Sequence, residues 1–182
     1  MHQAVGVLLL FCVFAAGVTA FAAWAGWWFE PGHRTLRALN RRLEAKAEVA
    51  ALAPLRGQGV AMRVADNRIA LVRGPGDLGL VFDLDELFGV ELIFDGQVAA
   101  RMFRRESRRP LDQIAPEVRQ IILRLVFDDV RDPEFELHLL APADLHQRRP
   151  PDPDGLVLEA RRWFARLEAV LRRAGSDEAA GR

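Results

Sequence analysis

Hydrophobic and polar positions divide the chain at residue 30. Ala4 to Phe29 runs without a charged side chain, and Thr19 is its one hydroxyl. At about 1.5 Å per residue a helix over this run reaches nearly 40 Å, more than the roughly 30 Å of a hydrocarbon core. The pattern predicts a transmembrane helix over residues 1–30, with Trp24, Trp27 and Trp28 as interfacial anchors. Arg34, Arg37, Arg41, Arg42 and Lys46 follow it, and only His2 precedes it. The positive-inside bias then predicts a single-pass protein of the inner membrane, N-out and C-in, with a cytoplasmic domain. Ala20-Phe21-Ala22 resembles a signal cleavage site, and the alternative is a periplasmic domain released there. The missing N-terminal Lys or Arg, the long run and the basic flank after it favour the anchor.

Pro31 and Gly32 read as a break at the membrane surface. A helical pattern from about His33 to Ala53, ended by Pro54, predicts a juxtamembrane linker over residues 31–54. From Gly59 the period becomes two. Val60, Met62 and Val64 alternate with Ala61 and Arg63, Asp66-Asn67 makes a turn, and Ile69 and Leu71 return. Further strands follow over residues 79–84, 90–94 and 98–102, with Asp95-Gly96 suited to the two positive φ values of a type I′ turn. A short helix is expected near Asp112 to Val118. Ile121, Leu123, Leu125 and Phe127, then Phe135, Leu137 and Leu139, mark the last strands, about seven in all. The final helix is expected from Leu156 to Ala174. Its apolar stripe is Leu156, Ala160, Trp163, Phe164, Leu167, Val170 and Leu171, with Arg161, Arg162, Arg166, Glu168 and Arg172 opposite. Gly175 reads as its C′ residue and 176–182 as a disordered tail.

Composition adds exclusions. The 182 residues carry 25 Lys+Arg and 25 Asp+Glu, so no net charge advertises a nucleic-acid partner. The one cysteine, Cys12, lies in the leader, which excludes an intrachain disulfide framework and a cysteine-based zinc site. Beyond residue 30 the only hydroxyls are Thr35, Ser107 and Ser176, with no thiol, a poor supply for nucleophilic catalysis. His2, His33, His138 and His146 lack metal-ligand spacing. Gly74-Pro-Gly-Asp-Leu-Gly79 has dinucleotide-fingerprint spacing, but a strand follows it and Pro75 removes an amide donor, so it reads as a turn. Asp83, Asp85 and Glu86, and separately Asp128, Asp129 and Asp132, read as turn and cap carboxylates. Arg101, Arg104, Arg105, Arg108 and Arg109 against Glu106 form the steepest local charge, a candidate surface for lipid headgroups or a partner.

Val81-Phe-Asp-Leu-Asp-Glu-Leu-Phe-Gly-Val-Glu-Leu-Ile-Phe-Asp-Gly96, with Leu123-Arg-Leu-Val-Phe-Asp, Phe135-Glu-Leu-His-Leu-Leu140 and Ala160-Arg-Arg-Trp-Phe-Ala-Arg-Leu167, resembles a bacterial family of membrane-anchored pleckstrin-homology-like (PH-like) proteins of unknown function. The likeness covers about Val60 to Leu171. Where a small-residue loop is expected, between Arg104 and Arg119, this chain has arginines, prolines and acids. The resemblance implies an α+β fold: a seven-stranded antiparallel β-sandwich or barrel over residues 55–175, capped by the C-terminal α-helix. The resemblance implies fold and not activity, though it makes a protein partner expected. The leader, the strand pattern and the shortage of nucleophiles point to a non-catalytic binding or scaffolding module without cofactor or metal, for a protein partner or anionic headgroups and not for nucleic acid. The alternative is a carboxylate-dependent hydrolase using Asp83 or Asp128. No oligomeric state is written in the sequence.

Overall fold

The period-two runs become strands in a computed structural model that describes residues 14–21, 30–76, 79–104 and 117–180. Four strands form the first antiparallel sheet in the order β1-β2-β3-β4: β1 (Val49–Ala53), β2 (Gln58–Arg63), β3 (Arg68–Val72) and β4 (Leu80–Asp83). The second, ordered β6-β5-β7-β8, holds β5 (Leu87–Phe94), β6 (Gln97–Phe103), β7 (Ile121–Phe127) and β8 (Glu134–Leu140). Three stretches are helical: α1 (residues 14–21), α2 (Pro31–Arg42) and α3 (Pro153–Ala180). The class is α+β, as expected. The single seven-stranded PH-like barrel is not what the chain forms, because the described residues make eight strands in two separate four-stranded sheets.

The additional strand is β1, which the helical spacing had assigned to the linker. α2 stops at Arg42, where Glu44 takes a left-handed φ of 55° and the Asn40 side-chain oxygen accepts the Ala47 amide at 2.8 Å. Past that stop, Val49 to Ala53 finds a complete antiparallel partner in β2, from Val49 opposite Met62 to Ala53 opposite Gln58. Pairing outweighs the helix preference of alanine. Pro31 stands at a boundary, after a non-helical Glu30. It is the first residue of α2, where its missing amide costs nothing.

Alternation gives the first sheet two buried faces. Val60, Met62, Ile69 and Leu71 enter the main core, and Ala61, Ala70 and Val72 pack on Leu39 and Leu43 of α2. Gly59 sets how closely that helix lies. A Cβ there meets Leu39 Cδ1 and Thr35 Cγ2 at 2.9 Å. The main core joins the other face of this sheet to Val90, Leu92, Leu123, Leu125 and Leu137 of the second sheet and to α3. Across that core the rings of Phe82 and Phe127 stack with centroids 4.3 Å apart. The hairpin at Asp95-Gly96 has φ values of 48° and 79°, the left-handed pair its sequence requires.

α3 supplies the predicted stripe, with Ala160, Trp163, Phe164, Leu167 and Leu171 all buried. Asp152 starts it by accepting the amides of Asp154 and Gly155, each at 3.2 Å. Two expectations fail here. The helix continues through Gly175 to Ala180, so Gly175 is not its C′ residue and 176–180 are helical rather than a loose tail. Glu168, placed on the solvent side by periodicity, is buried, and its Oε1 accepts from Arg172 Nη2 at 2.6 Å.

The transmembrane helix over residues 1–30 and the single-pass inner-membrane placement are corrected as well. Among the described residues no helix is long and apolar enough to cross a membrane. Trp24, Trp27 and Trp28 lie outside the described residues, as does most of the short helix expected at 112–118.

Candidate functional site

The first half of α2 and two turns meet on the first sheet and enclose a groove of about 340 Å³. One wall is the first half of α2, through Pro31, Arg34, Thr35 and Ala38. The others are the β1–β2 turn at Pro54, Leu55 and Gly57, and the residues after β3 at Gly74, Pro75 and Gly76. The sequence builds these walls locally. Ala53 leads into a 3-10 turn at Pro54–Arg56, closed by Gly57 at φ 63°, and a Cβ on Gly57 meets the Pro75 ring at 3.0 Å. The two turns therefore lean on each other, and Gly32 lies against the Pro54 ring with 3.6 Å between that ring and a Cβ built on the glycine. The lining is dominated by proline rings, Leu55, Ala38 and Val72. Thr35 spends its hydroxyl on the Pro31 carbonyl at 3.1 Å. Leu55 is 54% exposed, and Arg34 is the only charged residue among the described residues of the lining.

A second constellation lies on the face of the second sheet that points away from the core. Arg101, Glu91, Arg124 and Glu136 are direct neighbours in register across β6, β5, β7 and β8, a ladder of alternating sign. Arg124 Nη1 donates to Glu91 at 2.9 Å and Nη2 to Glu136 at 2.8 Å. The hydrogen bond with Glu136, opposed by burial and aided by the nearby carboxylates, raises the Arg124 pKa above its ordinary value. His138 Nε2 lies 3.3 Å from Glu136. Arg124 thus bonds carboxylates on both neighbouring strands, which marks the ladder as a register lock.

The basic run splits. Arg101 belongs to the ladder, and Arg104 Nη2 donates to the Asp85 carbonyl, 3.5 Å from that of Leu84, so it clamps the turn between the sheets. Arg105, Arg108 and Arg109 lie outside the described residues. The acidic clusters do turn work. Glu86 accepts the Asp83 amide at 2.7 Å and Asn67 donates to Asp85 at 2.8 Å. Asp129 accepts the amides of Arg131 and Asp132, and these bonds, the Asp132 amide foremost, hold its carboxyl below the usual range. Asp132 itself pairs with Arg73 at 2.5 Å. No group of three His, Cys, Asp or Glu able to hold a metal occurs among the described residues.

Sequence reading missed one buried pair. Asp144, almost wholly buried, accepts from Arg56 through both oxygens, at 2.8 and 3.2 Å, and takes the Ala141 amide at 2.8 Å. Burial pushes this carboxyl up, but the Arg56 and Ala141 hydrogen bonds outweigh it and hold the pKa below its ordinary value. The pair ties the β1–β2 turn, one wall of the groove, to the segment after β8. Burial also raises the pKa of Glu159, against the pull of Arg166 and Arg162.

No family model, curated protein or solved structure matches the chain.

Proposed function

We propose that this chain is a non-catalytic protein-binding module that holds an extended segment of a partner in the groove beside α2. The groove carries the reading. Its volume of about 340 Å³ falls in the range of ligand sites and suits one or two apolar side chains rather than a folded surface. Its walls are proline rings and mutually supported turns, so little ordering is needed when a ligand arrives. Backbone approaches closely at Gly74 and Gly76, which have no side chains to hold it off.

The test is panning of a random dodecapeptide display library on the full chain, followed by titration of the enriched peptides. Peptides should enrich and should bind Leu55→Asp at least tenfold more weakly. Leu55 is exposed, so the melting temperature should stay within about 1 °C of wild type. Failure to enrich any peptide, or indifference to Leu55→Asp, refutes the reading.

A further inference from the structure

We infer that two ion pairs reaching to the second sheet set the shape of the groove, so that residues which never touch the ligand decide how tightly it is held; this rests on the binding-module reading above. Arg56 stands between Leu55 and Gly57, and Arg73 between Val72 and Gly74. All four neighbours are among the described residues lining the groove, and neither arginine is. Each turn shows its small or apolar residues to the ligand and sends its one long cation elsewhere. Arg56 donates to both oxygens of Asp144, at 2.8 and 3.2 Å, and Arg73 Nη2 donates to Asp132 at 2.5 Å. Asp132 lies shortly before β8 and Asp144 shortly after it, so both turns are tied to the two ends of one strand.

The anchors are themselves fixed. Asp144 is almost wholly buried and also accepts the Ala141 amide, at 2.8 Å. The Asp132 amide donates to the Asp129 carboxylate at 3.0 Å, and the Phe127 amide closes the same turn on the Pro133 carbonyl at 2.9 Å. Between the two anchors the His138 amide donates at 3.2 Å to Gln58, the residue after Gly57. The two turns also brace each other, because a Cβ on Gly57 meets the Pro75 ring at 3.0 Å. With one pair cut, the opposite turn and its pair still support the wall; with both cut, neither turn has a fixed neighbour to lean on. A site ordered in advance spares the ligand the cost of ordering it, so loosening these walls lowers affinity even where the fold survives. The Arg73–Asp132 pair shows the difference most clearly. Its side chains are 46% and 26% exposed, so it adds little to stability, yet it holds the segment that carries Gly74 and Pro75. Arg56, Arg73, Asp132 and Asp144 are therefore positioning residues for the groove.

Peptides enriched from the same library are titrated by fluorescence anisotropy against wild type, Leu55→Asp, Asp132→Asn, Asp144→Asn and the Asp132→Asn/Asp144→Asn double variant, at a temperature where circular dichroism shows each of them folded. Each single asparagine change should weaken binding about threefold, and the double by clearly more than the product, about thirtyfold or more, because each pair backs up the other. Asp132→Asn should do this with a melting temperature within about 1 °C of wild type, a result that a merely structural role would not give. Should Asp144→Asn not fold, Asp132→Asn alone decides. Unchanged affinity in either single variant, for peptides that still lose affinity to Leu55→Asp, overturns the positioning role and leaves the groove reading standing. A double variant that equals the product of the singles shows walls that act separately and also overturns it. Indifference to Leu55→Asp, or no enrichment, overturns both.

Discussion

Ala61 and Ala70, partners across β2 and β3, lie beneath α2; Glu91 and Arg124, partners across β5 and β7, lie on the face of the second sheet that points away from the core. The first sheet uses small side chains, and Gly59 beside them, to bring a helix close enough to bury both faces. The second fixes its register with charges that keep partial contact with water, so one face is apolar and the other carries a polar ladder. Steric fit holds one half and ionic pairing the other. The ligand groove belongs to the half where fit matters, because α2 is one of its walls.

The clasp between the halves should give the largest loss when cut. Arg56→Ala strands the buried Asp144 carboxylate with only the Ala141 amide, and should cost about 2 kcal/mol in urea unfolding, discounted for the partly exposed guanidinium. The Asp144 pKa is depressed in the fold, so its stabilising share is full above about pH 4 and is lost as pH falls through the lowered value. The gap between wild type and Arg56→Ala should therefore narrow on acidification; a constant gap would show that the pair is not the source.

Gly59→Val tests the steric half. The branched side chain must displace Leu39, Thr35 and Leu52, and should cost about 1 to 2 kcal/mol and weaken peptide binding by shifting α2. A variant as stable as wild type would mean that the helix is not closely seated. Smallest is the ionic half. A double-mutant cycle of Arg124→Gln with Glu136→Gln should give a coupling of about 1 kcal/mol that shrinks in 1 M salt, because both side chains are about one-third exposed. Coupling near zero would reduce the ladder to surface decoration.

Much of this arrangement was legible where local rules govern. The β2–β3 hairpin, the Asp95-Gly96 turn and the buried stripe of α3 follow from side-chain period and from φ values that few residues accept. β1 was not, because Ala50, Ala51 and Ala53 suit a helix as well as a strand, and only pairing with β2 decides between them. The groove was illegible for a related reason. Pro31, Pro54 and Pro75 each read as ordinary punctuation, and nothing in their spacing says that a helix start and two separate turns converge. Arg124, the one charge within the apolar run of β7, carried a signal that goes unread until Glu91 and Glu136 are seen in register beside it.

One small contact at the seam has a wider consequence. The His138 amide on β8, the last strand of its sheet, donates to the Gln58 side-chain oxygen at 3.2 Å. A carboxamide thus occupies the place where another chain could begin to zip on, and a neighbouring molecule has to evict it before stacking can start. The glutamine acts as a guard against runaway self-assembly, installed at the border where the two halves of the protein touch.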